Sequence, residues 1–139
     1  MDEKDRLDQI SRRIIGAAID VHKIVGPGLL ESAYQACLAF ELRERGFRVE
    51  EQIPLPVVYK GVHLDCGYRM DLIVEDAIVV EIKAVEQLAP IHEAQLLSYL
   101  RLSNRKVGLL LNFHSRLLID GLKRIVNEFP DSALSAATR

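Results

Sequence analysis

The chain has 139 residues, 49% of them hydrophobic, and a formal net charge of −2 at neutral pH. That length suits one domain with a single core, and the hydrophobic share excludes a disordered chain. The charge excludes a broadly basic surface, so any nucleic-acid site has to be a local patch.

No apolar run approaches the roughly 20 residues of a membrane span. The charged start, Met1 to Arg6, has no apolar core behind it, so a secretory signal is not expected. Cys37 and Cys66 have no partners at metal-ligand spacing. They are expected to be free thiols in a reducing cytoplasm, and they exclude an iron–sulfur cluster built from this chain alone.

From Asp5 to Val25, apolar residues at spacings of three and four predict a helix. Gly26-Pro27-Gly28 stops it. A second helix is expected over Leu29 to Arg45, with Leu30, Ala33, Tyr34, Cys37 and Leu38 as its apolar face and Gly46 as its cap. Phe47 to Pro54 and Val57 to Asp65 read as strands, the latter turning at Lys60-Gly61. Pro54 and Pro56 put this region at an edge or a bend.

Tyr68 to Lys83 is the stretch on which the reading turns. Val, Ile and Leu dominate two arms around Glu75-Asp76-Ala77, which predicts a β-hairpin. With Asp76 at the tip, residues whose numbers sum to 152 oppose each other. Alternation then puts Met70, Leu72, Val74, Ile78, Val80 and Ile82 on one face. Arg69, Asp71, Ile73, Val79, Glu81 and Lys83 fall on the other. Asp71 opposes Glu81, and directly opposed Cβ atoms lie roughly 4.5–5.5 Å apart. Two carboxylates that close need a positive group between them, either Lys83 or a divalent metal. A merely solvated face would not share Ile73 and Val79 with the charges, so the face is expected to be partly covered.

Ala89-Pro90 introduces a helix over Ile91 to Ser103, with a stripe of Ala94, Leu97 and Leu96 or Leu100. Gln95 and Tyr99 lie one turn apart on it, as a surface pair or as site residues. Lys106 to Phe113 is a continuous apolar strand of the sort found in mid-sheet. Leu117 to Ile119 is expected as a short strand and Gly121 to Phe129 as a short helix. Residues 130–139 read as a polar tail to a single domain spanning 1–129. The four histidines share no metal-ligand spacing. His22 is expected on the surface of the first helix, and His92 near a helix start where a phosphate could be met. Glu31, in the first turn of the second helix, complements the helix dipole if it does nothing else. With no Trp, sugar stacking for a two-carboxylate glycosidase is lacking.

An Asp on one strand, Glu-x-Lys on the next and Gln-x-x-x-Tyr on the following helix resembles the PD-(D/E)XK nuclease superfamily. Gly28-Leu29-Leu30-Glu31-Ser32-Ala33-Tyr34 resembles, within it, the GxxExxY family of small prokaryotic proteins. The resemblance runs from the first helix to Gly121. It departs at Met70, where the superfamily name implies Pro. It implies an α/β fold, a restriction-endonuclease-like mixed β-sheet flanked by helices. It also implies hydrolysis of phosphodiester bonds in DNA or RNA with Mg2+ or Mn2+. The implied metal ligands are Glu31, Asp71, Glu81 and the carbonyl of Ile82, with Lys83, Gln95 and Tyr99 completing the catalytic set. Magnesium's taste for hard oxygens agrees with that donor set. Related folds often pair to cut two strands, so a homodimer or a protein partner is an expected assembly. The rival reading is a nuclease fold that only binds nucleic acid or protein.

Overall fold

A computed structural model describes residues 2–128. Helix α1 (Glu3–Val25) is capped by the Asp2 carboxylate, which accepts the Asp5 N–H at 2.8 Å. Helix α2 is Glu31–Glu44. Five strands form one sheet in the order β1-β4-β5-β6-β7. They are β1 (Val49–Pro54), β4 (Arg69–Val74), β5 (Ile78–Lys83), β6 (Val107–Asn112) and β7 (Leu122–Val126). A separate hairpin, β2 (Val57–Tyr59) and β3 (Val62–Leu64), stands outside it and turns at Lys60 and Gly61, both with positive φ. Among the described strands only β5 and β6 run parallel, joined through α3 (Pro90–Leu102). The mixed sheet flanked by helices is the expected restriction-endonuclease-like architecture.

Each face of the sheet has its own core. Leu72, Val74, Ile78, Val80 and Ile82 pack with Leu109 and Leu111 under α1 and α2. Ile73, Val79 and Leu110 pack under α3. This is why Ile73 and Val79 can share a face with charge, since that face is covered. Helix α3 lies so close to β6 that a Cβ on Gly108 would come within 2.9 Å of Leu96. Leu96 is fully buried there, and its truncation to Ala would cost about 2–5 kcal/mol.

The 152 register holds at Leu72–Val80, Ile73–Val79 and Val74–Ile78. The turn is made by Glu75 and Asp76, both with φ above +50°. Glu75 also takes the Arg48 N–H on its carboxylate at 2.6 Å.

Several expectations need correction. The helix expected over 121–129 is strand β7, paired antiparallel to β6 from Val107–Val126 to Leu111–Leu122. All six residues of β6 are buried, and the backbone groups of an unpaired edge there would have no partner. Leu117 to Ile119 is no strand, and a 3-10 turn over Leu118–Gly121 brings Leu118 into the core. Leu30 is the exposed N-cap of α2, while Ala39 and Leu42 join its buried face. In α3 the buried stripe is Leu96, Tyr99 and Leu100, whereas Ala94 is exposed. Met70 packs with the α3 core, beyond the last paired rung of the hairpin. His22 is buried, with a ring nitrogen 2.8 Å from the Ser115 carbonyl. It ties α1 to the segment after β6. The tail over 130–139 lies outside the described residues.

Candidate active site

The site is built where the β4–β5 ladder stops. Beyond Leu72–Val80 no further rung is paired, and the backbone groups there turn to side chains. The Asp71 N–H donates to Glu81 Oε2 at 2.8 Å. The Ile82 N–H donates to Asp71 Oδ2 at 2.9 Å. Each carboxylate therefore takes a backbone donor from the opposite strand. The pair is locked in place, with two carboxyl groups in one wedge of the sheet.

Burial makes that wedge electrostatically costly. Glu81 is only 4% exposed. Desolvation, then the Asp71 charge, pushes its carboxyl up to about 8. Asp71 is half-buried, and desolvation raises it as well. The Ile82 N–H, Gln52 and Lys83 act the other way on Asp71. The charges of Glu31 and Lys83 are felt by both carboxylates, so all four groups share one electrostatic neighbourhood.

Glu31 is delivered by the turn between the first two helices. Tyr34 is fully buried and stacks on Phe113, ring centroids 4.6 Å apart. Its hydroxyl donates to the Gly26 carbonyl at 2.6 Å and accepts the Leu29 N–H at 3.1 Å. Gly28 completes the turn at φ +104°, a value that suits glycine. The clasped turn sets Glu31 at the head of α2, where Oε2 accepts the Ala84 N–H at 3.0 Å. Glu31 thus meets the backbone one residue past Lys83. Lys83 itself forms no ion pair among the described residues.

The remaining predicted residues lie on α3. Tyr99 is buried, and desolvation followed by the Glu81 charge pushes its phenol up to about 12. At neutral pH it is a hydrogen-bond donor and not a base. Tyr99 meets Tyr68 edge-on at 6.0 Å. Both line a groove of about 470 Å³ with Val57, Ile91, Gln95 and Ser98. Gln95 faces this groove and, among the described residues, hydrogen-bonds neither Lys83 nor a carboxylate. The His92 Nδ1 accepts the Ala89 N–H at 2.9 Å, which ties the ring to the start of α3.

Two further residues escaped the sequence reading. Asn112, 2% exposed, accepts the N–H groups of Val85 and His114 and donates to the Val85 carbonyl at 2.8 Å. It clamps the segment that leaves Lys83. A lone Asn closing an apolar strand was a readable signal. Gln52 donates to Asp71 Oδ1 at 3.1 Å from a residue with φ +51°. A non-glycine residue in that region costs on the order of 1–3 kcal/mol. Nothing in the sequence marks Gln52, because its place opposite Asp71 depends on the β1–β4 register.

Could this donor set hold a divalent cation? Among the described residues, no three acidic, histidine or cysteine side chains stand close enough to ligate one ion together. Asp71 and Glu81 do stand together, and a hydrated magnesium ion commonly needs only one or two carboxylates. Among the described residues, the one protein hydrogen bond to the Glu81 carboxyl comes from the Asp71 N–H on Oε2, and Lys83 forms no ion pair with it. Hard oxygen donors on two adjoining carboxyl groups fit such an ion, whose charge would favour the ionised form of Glu81 that burial disfavours.

A sequence profile of the PD-(D/E)XK nuclease superfamily matches residues 8–125. The chain belongs to the PD-(D/E)XK nuclease superfamily. The match includes all six residues of the expected catalytic set and reaches into β7. Among solved structures, an alkaline exonuclease from Laribacter hongkongensis aligns with a TM-score of 0.46 and 18% identity, over 86% of this chain and 79% of that one. No curated protein matches the sequence. Membership in this superfamily points to nuclease chemistry, with nucleic acid as the substrate. No helix among the described residues is long and apolar enough to cross a membrane.

Proposed function

We propose that this protein is a magnesium- or manganese-dependent nuclease of the GxxExxY kind, cutting phosphodiester bonds at the open end of the β4–β5 hairpin. The observation that carries the reading is the reciprocal lock of Asp71 and Glu81, with Glu81 buried. The GxxExxY assignment is supported by the Tyr34 clasp, which gives that motif's Gly, Glu and Tyr one joint task.

Asp71, Glu81 and the Ile82 carbonyl would hold the ion, with Glu31 nearby. The chemistry such an ion supplies when bound is polarisation of the phosphoryl oxygen and acidification of water. Lys83 contributes positive charge where the scissile phosphate gains negative charge in the transition state. Glu31 is oriented by its bond to Ala84 and can accept a proton from water on that side. Tyr99, held protonated, donates to a phosphate oxygen. Gln95 contacts the strand farther along the groove.

The test offers labelled single- and double-stranded DNA and RNA with Mg2+, Mn2+ or chelator. Wild-type protein is expected to cut with metal only. Asp71→Ala should stop cleavage and lose bound metal by calorimetry, whereas Lys83→Ala should stop cleavage and keep it. If nothing is cut with either ion, yet nucleic acid or a partner protein binds equally to wild type and Asp71→Ala, the chain is a binding module.

A further inference from the structure

Gln52 lies within β1, yet its φ is +51° and the β1–β4 ladder skips the Gln52–Asp71 rung. The two strands are paired on either side, at Glu51–Leu72 and Ile53–Met70. The distortion is therefore confined to one residue, and that residue faces the candidate metal ligand. Its amide nitrogen has two hydrogens, and both are used. One goes to Asp71 Oδ1 at 3.1 Å and the other to Gln35 Oε1 at 2.6 Å. The reversed amide would set a carbonyl oxygen against a carboxylate and a second carbonyl, so this orientation is fixed by its neighbours.

The chain of contacts continues. Gln35 donates to Glu51 at 3.2 Å, and Arg43 holds the other Glu51 oxygen at 2.9 Å. Gln35 and Arg43 belong to α2, the helix that begins with Glu31. One polar relay thus runs from that helix, across β1, to the carboxylate on β4.

We propose that Gln52 is a positioning residue that fixes the Asp71 carboxylate and couples it, through Gln35, to the helix bearing Glu31. This rests on the reading of Asp71 and Glu31 as groups that face a divalent cation. Asp71 has one oxygen on the Ile82 N–H and the other on Gln52, so its χ angles are set from both sides. Without the amide, that carboxylate is held at a single point and can rotate about it. The partners that orient metal ligands commonly contribute as much as tenfold or more to affinity.

Two substitutions separate the amide from the backbone. Gln52→Ala removes the amide and keeps a side chain that disfavours positive φ. Gln52→Gly removes the amide and makes positive φ easy. Mn2+ alone is titrated into wild type and each variant by calorimetry, with melting temperatures measured in chelator and cleavage measured across Mn2+ concentrations. Both variants are expected to bind Mn2+ roughly tenfold more weakly. Gln52→Gly should melt no lower than wild type, and cleavage in both should recover at saturating Mn2+. Gln35→Ala should give a smaller loss of the same kind.

Unchanged Mn2+ affinity in both variants overturns the proposal. So does wild-type affinity in Gln52→Gly with a loss in Gln52→Ala, which would make the role one of backbone shape. A wild-type protein that binds no Mn2+ overturns it too. If wild type binds Mn2+ and cuts nothing, but both variants bind it more weakly, the nuclease reading fails and the role of Gln52 stands. If wild type cuts and both variants bind and cut as it does, the nuclease reading stands and the role of Gln52 fails.

Discussion

The two ends of the β4–β5 hairpin are built from different side chains and do opposite things. At the turn end, Val74–Ile78, Ile73–Val79 and Leu72–Val80 pair as an ordinary antiparallel ladder with buried apolar side chains on both faces. At the open end, one rung farther, the backbone donors of Asp71 and Ile82 are taken by carboxylates. The difference is not burial alone, since Met70, Glu81 and Ile82 at the open end are buried too. It lies in the choice of hydrogen-bond acceptor. Carboxylate side chains that stand in for backbone carbonyls hold the strands apart, and the gap receives charge.

A charge moved one step toward the turn should break the molecule. Val80 is fully buried in the core beneath α1 and α2. Val80→Asp would bury an unpaired carboxylate there and is expected to abolish folding, read as lost circular dichroism signal or insoluble expression. If the variant folds and melts like wild type, the closed end is more tolerant than its packing implies.

Lys83→Ala should be nearly silent for folding and severe for chemistry. Loss of one group that acts on developing charge typically lowers the rate by about 10²–10³. Steady-state rates and melting curves on the same sample would check this. A parallel loss of stability would recast Lys83 as a structural counter-charge.

Glu81 gives a pH signature of intermediate size. Its folded pKa, about 8, lies above the ordinary value, so the folded state binds the extra proton. The stabilisation is full below about pH 4.5 and is lost as pH rises toward 8. Asp71, also raised, acts in the same direction. Asp8 and Glu51 are held below the ordinary carboxylate range, by their bonds to Lys4 and Gln35 first, and so act only at lower pH. Melting temperature in chelator should therefore fall between pH 5 and 8, and Glu81→Gln should flatten that slope. A curve of equal slope in the variant would mean that other groups cause it. Metal binding to wild type at pH 7 should release protons, visible as a buffer-dependent heat.

The smallest effect is expected from Tyr34→Phe. It removes two hydrogen bonds to the turn between α1 and α2, each worth about 1 kcal/mol net. The ring stack on Phe113 survives. A modest drop in melting temperature with a partial loss of cleavage would mean that Glu31 has lost its footing. Unchanged cleavage would show that the clasp serves stability alone.

The closed end of the hairpin was legible in the sequence because alternation and a central turn fix a register by arithmetic. The covered charged face was legible too, since Ile73 and Val79 have no reason to face water. Asp71, Glu81 and Lys83 could be named because strand alternation and motif spacing both pointed to them, and Glu31 because the GxxExxY spacing did. Strand β7 was not legible. Leu122-Lys123-Arg124-Ile125 repeats at a spacing of three, which suits a helix, and only the bare edge of β6 makes it a strand. Gln52 was hidden for a similar reason, since a partner on a neighbouring strand far off in sequence leaves no local trace. His22 carries no sequence mark of burial, and its partner carbonyl at Ser115 is 93 residues away.

The late arrival of β7 has a consequence for synthesis. Strand β6 is apolar and buried along its whole length, and the strand that covers its outer edge comes last in the sheet's sequence order. Until residues 122–126 emerge, a nascent chain presents Val107 to Leu111 as an uncovered template for another chain. Chains truncated after Gly121 and released should be prone to aggregation and should depend on chaperones. Chains carried through Val126 should escape both, as β7 zips onto the edge.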